Sequence, residues 1–365
     1  MKVLPIDAVV DQLKGVLCTH ANVVLIAPPG AGKSTRVPLA LLDEIWLSGR
    51  RILMLEPRRL AARSSARYMS TALSEQVGGT VGYRVRLDSK VSEHTRIEVI
   101  TEGILTRMLQ DDPSLDGIGL VIFDEYHERS VHADLGLALC LQAQSIFRED
   151  LKILVMSATL DAKSVASMMN EAPIIESEGI RYPVETHYLS KPLKESVDVT
   201  VSRSITQALK EHTGDIIVFL PGIGEIRRVG NKLRAMNLDE HVRISPLHSS
   251  LTQEEQDLAI APSSPGIRKV VLSSSIAETS ITVEGVHIVI DSGWMRVPRF
   301  SPRTGLTRLE TVPVSQASAD QRRGRAGRTG PGICYRLWTE QEGRQLPLYN
   351  GVPPTKRVKR TLSAD

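Results

Sequence analysis

Short runs of β-branched and aliphatic residues alternate with longer mixed stretches along most of this 365-residue chain. Val23–Ala27, Ile52–Leu55, Val121–Phe123 and Ile153–Met156 offer no polar face to solvent. That pattern predicts strands covered on both sides, as in a parallel sheet. Leu60–Leu73 and Leu135–Ile146 are long enough to be the helices between them. The alternation predicts an α/β fold, an open parallel sheet flanked by helices. It breaks at residues 178–194, where Pro183 and Pro192 fall in a stretch with no helical period. A second series then follows in Ile216–Leu220, Ile244–Leu247, Val270–Ser273 and Ile288–Ile290. Two domains are expected, 1–177 and 178–345, each long enough to bury its own core. Past Trp338 the pattern fades. Residues 346–365, with Pro347, Pro353, Pro354 and the run Lys356-Arg357-Val358-Lys359-Arg360, read as a solvated, disordered tail rather than a binding arm.

Composition narrows the classes. Hydrophobic residues at 41% and charged residues at 24% exclude a collagen, a long coiled coil and a mostly disordered chain. The longest apolar run, Ile118–Phe123, is far short of the ~18 residues of a membrane span. Asp7, Asp11, Lys14 and His20 interrupt the first twenty residues. They argue against a secretory segment and for a cytoplasmic protein with no membrane partner. Cys18, Cys140 and Cys334 match no metal-ligand spacing and read as small buried hydrophobes. The net charge is only +3, so attraction to nucleic acid must be local. Residues 50–67 hold six Arg against one Glu, and residues 296–328 hold eight Arg against two acids. With aromatics at 4%, contact with a sugar-phosphate backbone fits better than stacking on a sheet of rings.

The strand Val23–Ala27 runs into Ala27-Pro28-Pro29-Gly30-Ala31-Gly32-Lys33-Ser34-Thr35. Small residues let successive backbone N–H groups turn toward an anion. Lys33 can reach β- and γ-phosphates, Ser34 can give its hydroxyl to Mg²⁺, and the helix opening there directs its positive end at the phosphates. Ala27 stands where the general pattern has Gly, a mild departure at a position that asks only for a small side chain. A second strand delivers Asp124-Glu125-Tyr126-His127. Asp124 sits where a parallel sheet presents residues to its ligand and can hold Mg²⁺, while Glu125 can polarise the attacking water. Two acids after a strand are as often a helix N-terminal decoration; the phosphate cradle makes the catalytic reading the better one.

Taken with further motifs in order, the chain resembles superfamily 2 helicases of the DEAH type, and most closely the bacterial HrpB group, from about residue 5 to 340. Glu56-Pro57-Arg58-Arg59-Leu60-Ala61-Ala62-Arg63 resembles the first strand-contacting motif. Gly82-Tyr83-Arg84-Val85-Arg86 resembles the hook-shaped turn, and Thr101-Glu102-Gly103 the next contact. Ser157-Ala158-Thr159 is similar to the motif coupling hydrolysis to strand movement. Phe219-Leu220-Pro221-Gly222 resembles the start of the second domain. Ser275-Ile276-Ala277-Glu278-Thr279-Ser280-Ile281-Thr282 and Gln321-Arg322-Arg323-Gly324-Arg325-Ala326-Gly327-Arg328 resemble the last two motifs. Tyr126 replaces the Ala of the most frequent box, and Arg323 stands where a small residue is usual.

The resemblance implies two tandem RecA-like domains of the P-loop NTPase class with ATP and Mg²⁺ as cofactors. It counts His127 with Asp124 and Glu125 among the catalytic residues, gives Gln321 the ordering of water, and gives Arg325 and Arg328 the γ-phosphate. Arg322 and Arg323 remain divided between that role and a solvated surface. Trp294 is either the aromatic platform for the adenine or a packing residue, and Tyr68 stands where the opposite arginine of the family falls. Arg58, Arg59, Thr101 and Thr279 would grip phosphates and 2′-hydroxyls of single-stranded RNA, with DNA as an alternative. Met295–Pro313 fits the strand-separating hairpin, and no stable protein partner is implied. Family members continue into further domains, so a truncated chain with weak RNA grip is also expected. The readings to separate are a nucleic-acid-stimulated ATPase, a non-enzymatic binding fragment, and a P-loop enzyme for a small molecule.

Overall fold

A computed structural model describes residues 4–348, apart from residues 129, 159–161, 180–181, 237, 279–282, 284, 302 and 329 and the side chain of residue 300. The chain divides at Ile180/Arg181 into two compact units. Strands of the first unit are β1 Asn22–Ile26, β2 Arg51–Glu56, β3 Val81–Val85, β4 Asp88–Lys90, β5 Ile97–Thr101, β6 Ile118–Phe123, β7 Lys152–Ser157 and β8 Ile174–Glu176. Its helices are α1 Val10–Thr19, α2 Lys33–Ala40, α3 Arg59–Ala72, α4 Glu102–Asp111, α5 Val131–Ile146 and α6 Ala162–Met168.

The strands form one sheet in the order β4-β3-β5-β2-β6-β7-β1-β8, parallel except for the β3–β4 pair. Residues alternate across it. Val23, Leu25, Ile52, Met54, Leu154 and Met156 join Leu13, Val37, Ala62 and Met69 of α1, α2 and α3 on one face. Val24, Leu53, Leu55, Val121, Phe123 and Val155 join Leu105, Leu137 and Val165 of α4, α5 and α6 on the other. Burial on both faces explains why these strands are continuous apolar runs. Being parallel, β1, β2, β5, β6 and β7 deliver Ala27, Glu56, Thr101, Asp124 and Ser157 to one edge.

In the second unit β9 Val184–Tyr188, β10 Asp215–Phe219, β11 Val242–Leu247, β12 Arg268–Ser273, β13 Val286–Asp291 and β16 Gly332–Arg336 form a parallel sheet ordered β11-β12-β10-β13-β16-β9. The helices α7 Val197–Glu211 and α8 Ile223–Ala235 pack Val201, Ile205, Val229 and Leu233 against one face. Then follow α9 Gln253–Ile260, α10 Gln316–Arg323 and α11 Glu340–Gln345. The expected hairpin is present as the antiparallel pair β14 Trp294–Ser301 and β15 Leu306–Pro313. Residues 178–194, read as a break in the pattern, contain the edge strand β9. Leu346, Pro347 and Leu348 accept hydrogen bonds from Gln316 and Ala317 at the start of α10; residues 349–365 lie outside the described residues. Cys140 and Cys334 are buried as expected, but Cys18 is exposed, because it falls on the outer side of α1 while Leu13 and Leu17 face the core. No helix among the described residues is long and apolar enough to cross a membrane.

Candidate nucleotide site and its surroundings

The loop after β1 is shaped by its glycines. Gly30 and Gly32 have φ of 84° and 94°. A Cβ on Gly32 would also stand 2.6 Å from Leu4 Cδ1, since the segment before α1 packs beneath the loop and the Ile6 amide donates to the Ala31 carbonyl. Gly32 is the residue before α2, and no side chain caps that helix. Its first N–H groups are therefore left to an anion at the loop.

Lys33, the first residue of α2, is buried, and its ammonium donates to Glu125 Oε1 at 2.6 Å. Burial works against its charge, but Glu125, Asp124 and Glu56 outweigh it and raise the lysine above its ordinary pKa. Asp124 follows β6, tied to the neighbouring strand by its amide on the Leu55 carbonyl. Its Oδ1 accepts the Glu125 amide at 2.8 Å, which fixes the carboxyl, and the buried Oδ2 has no hydrogen-bond partner. Burial is the main reason that Asp124 is pushed up to about 6, with the Lys33 ammonium, and after it the nearby Ser34 hydroxyl, acting the other way. An orphaned carboxylate oxygen beside a serine hydroxyl suits a hard divalent cation. Among the described residues no cluster of three or more His, Cys, Asp or Glu could hold a metal by itself.

Glu125 itself has φ of 50°, left-handed backbone that a residue with a long side chain seldom adopts. Its second oxygen, Oε2, lies 3.3 Å from His127 Nε2. His127 Nδ1 faces the Ala158 amide at 3.2 Å and must accept from it, so the ring proton sits on Nε2 and points at Glu125. Burial lowers the histidine's pKa, which keeps the ring neutral. The box is thereby joined to Ser157-Ala158 at the end of β7; Thr159 lies outside the described residues. Beside them Glu56, the last residue of β2, is buried, with Oε1 accepting from Ser65 at 3.0 Å and Oε2 unpartnered. Burial, then Asp124 and Glu125, hold its pKa well above the carboxylate range. The motif around it was visible in the sequence; that its carboxyl joins this cluster was not.

Of the predicted strand contacts, Arg58 stands at the residue before α3 and Thr101 at the residue before α4, neither with a side-chain capping bond, and Arg59 opens α3 exposed. All three stand on the edge to which β2 and β5 run. Thr279 lies outside the described residues. Trp294, at the start of β14, is 38% exposed, and Tyr68 on α3 is 50% exposed.

The arginine-rich helix α10 and the turn after it divide their residues. Arg322 is fully buried. Its Nε donates to Glu278 Oε2 and its Nη1 to Asp291 Oδ1, each at 2.9 Å, and the guanidinium lies 5.0 Å from the Phe219 ring centroid. Burial opposes its charge, but Asp291 and Glu278 outweigh it and raise the pKa further. A solvated surface is therefore ruled out for Arg322, while Arg323 is half-buried. Arg325 is buried with its Nε on the Glu278 carbonyl at 3.0 Å; Gln321 and Arg328 are half-buried.

Two parallel α/β units with a phosphate loop after the first strand and paired acids after β6 define a P-loop NTPase core of tandem RecA-like domains. The model of the DEAD/DEAH box helicase matches residues 9–168, and that of the helicase conserved C-terminal domain residues 200–330. The chain thus carries a DEAD/DEAH box helicase domain followed by a helicase conserved C-terminal domain. It is 49% identical to "ATP-dependent RNA helicase HrpB" of Escherichia coli over 345 residues, 94% of this chain and 42% of that protein. It is 37% identical to the pre-mRNA-splicing factor ATP-dependent RNA helicase prp22 of Schizosaccharomyces pombe, covering 97% of this chain and 31% of that one. Superposed on the crystal structure of the E. coli DEAH/RHA helicase HrpB, it gives a TM-score of 0.90 at 48% identity, over 95% of this chain and 44% of the other. The chain thus spans less than half the length of these relatives.

Proposed function

We propose that this chain is a nucleic-acid-stimulated ATPase that couples hydrolysis of ATP to ADP and phosphate to movement or remodelling of single-stranded RNA. The observation that carries the reading is the set of contacts on Glu125. One carboxylate oxygen is held by the loop lysine and the other by a neutral histidine, with the Glu125 backbone at a φ of 50°. Incoming β- and γ-phosphates draw Lys33 to themselves and release Oε1 of Glu125. That oxygen can then accept a proton from the water attacking the γ-phosphate, while His127 keeps the carboxylate aimed. Ser34 and Asp124 would hold Mg²⁺, which would supply positive charge to offset that of the phosphates.

The remaining roles follow the family motifs. Gln321 orients the water, Arg325 and Arg328 meet charge developing on the γ-phosphate, and Trp294 stacks on the adenine. Arg58, Arg59, Thr101 and Thr279 hold the strand by its phosphates and 2′-hydroxyls, which favours RNA over DNA without favouring a sequence. The names of the relatives, which are RNA helicases, support this choice of strand.

Phosphate release from Mg–ATP with and without oligouridylate is the test. Turnover that rises several-fold on adding the strand is expected. No turnover in either condition rejects the ATPase, and turnover indifferent to RNA and to single-stranded DNA rejects the coupling.

A further inference from the structure

Arg58, assigned above to the strand, already has a carboxylate on it. Its Nη2 donates to Glu128 Oε2 at 3.3 Å, with both side chains partly buried. Glu128 closes the short 3-10 turn Tyr126–Glu128, and its amide donates to the Glu125 carbonyl at 2.9 Å. The middle residue of that turn is His127, whose ring meets Glu125 Oε2 on one side and the Ala158 amide on the other. One short turn thus carries both the histidine that aims the catalytic carboxylate and the acid that occupies a strand-binding arginine. A strand phosphate and the Glu128 carboxylate are two anions seeking the same guanidinium.

We infer that Glu128 is a positioning residue that couples strand binding to hydrolysis. Without a strand, Glu128 holds Arg58 and the turn rests where the contacts place it. When a phosphate takes Arg58, the pair opens and the turn is free to reset His127 and, through it, Glu125. Coupling of this kind is reciprocal, so Glu128 must weaken strand binding in the same act. The inference rests on the proposed ATPase and its use of Arg58.

The experiment measures binding of fluorescein-labelled oligouridylate without nucleotide, and turnover with and without that strand, for the wild-type chain, Glu128→Gln, Arg58→Gln and the double variant. Glu128→Gln should bind the strand about threefold tighter, the size expected for releasing a partly exposed ion pair. Its ratio of strand-stimulated to basal turnover should fall by about half or more. Tighter binding is a gain that a damaged fold does not produce, and a thermal melt of each variant confirms that it is folded. In the Arg58→Gln background, Glu128→Gln should change affinity little, whereas simple removal of a negative charge would tighten binding there too. Unchanged affinity overturns the inference, as does tightening that persists without Arg58, or tightening with the stimulation ratio intact. A wild-type chain that hydrolyses no ATP fails the functional reading instead. One that hydrolyses ATP without responding to the strand leaves nothing to couple and also overturns the inference.

Discussion

Two clusters of buried charge sit at strand ends in this chain, one in each unit, and they are assembled from similar parts. At the end of β6, one cation, Lys33, stands among three carboxyls, Glu56, Asp124 and Glu125. Under α10, one cation, Arg322, stands between two, Glu278 and Asp291. Both hold more carboxyls than cations and an unpartnered carboxylate oxygen, Asp124 Oδ2 in the first and Asp291 Oδ2 in the second, and burial raises Asp124 and Asp291 alike. The first adds a third carboxyl and a Glu125 φ of 50°. The second is tied by two 2.9 Å ion pairs from one guanidinium and by an aromatic face. The lesson is that buried charge alone does not mark a reactive site. The setting does: the first cluster lies beside a glycine loop and the uncapped start of α2, where a cation and phosphates can join the surplus carboxyls. A guanidinium paired to both carboxylates is architecture: it fixes α10, which carries Gln321 and leads into the turn that bears Arg325 and Arg328.

The sharpest way to break this distinction is Arg322→Ala. Removing one partner strands two buried carboxylates, which typically costs about 3–5 kcal/mol. Chemical denaturation should show that loss in the second unit, while nucleotide binding by the first unit is kept. A stability close to that of the wild-type chain would mean that the pairing is not structural.

Gly32→Ala is the next largest effect. The new Cβ meets Leu4 and must adopt a φ of 94°, a strain on the order of 1–3 kcal/mol, and it does so in the loop that should cradle the phosphates. Nucleotide affinity should drop at least tenfold, with a melting temperature only a few degrees lower. Titration with a fluorescent nucleotide and a thermal melt separate the two.

A smaller effect sharpens the account of the acid excess. A cation at Asp124 needs the ionised carboxylate, whose pKa is raised to about 6. Protons therefore compete as pH falls through that value, and Mg²⁺-dependent nucleotide affinity should weaken by up to about tenfold per unit below it. The sign for the ligand-free fold is opposite. A raised carboxyl pKa means that the folded chain binds more protons, so stability contributed by this group falls as pH rises through about 6. Affinity flat from pH 7 to 5 would remove Asp124 from the cation's shell.

How much of this was legible in the sequence follows from where each signal lies. The phosphate loop and the box are local strings attached to strands buried on both faces, so the apolar run and the chemistry read together. The strand β9 was missed because it is an edge, and Val184-Glu185-Thr186-His187-Tyr188 carries the polar residues that an edge tolerates. Arg322 was left undecided because its partners, Glu278 and Asp291, come from other elements and only folding brings them together. The contacts of Glu56, the first residue of its motif, and of Glu128, just past the box, are hidden for the same reason: their neighbours in space belong to another strand or turn.

The central claim is that Glu125 performs chemistry while Lys33 and the loop perform binding, and Glu125→Gln measures it most directly. Affinity for Mg–ATP should stay within about threefold of the wild-type chain, and turnover with saturating single-stranded RNA should fall on the order of 100-fold or more. Turnover equal to that of the wild-type chain, or affinity and turnover lost together, would contradict the account.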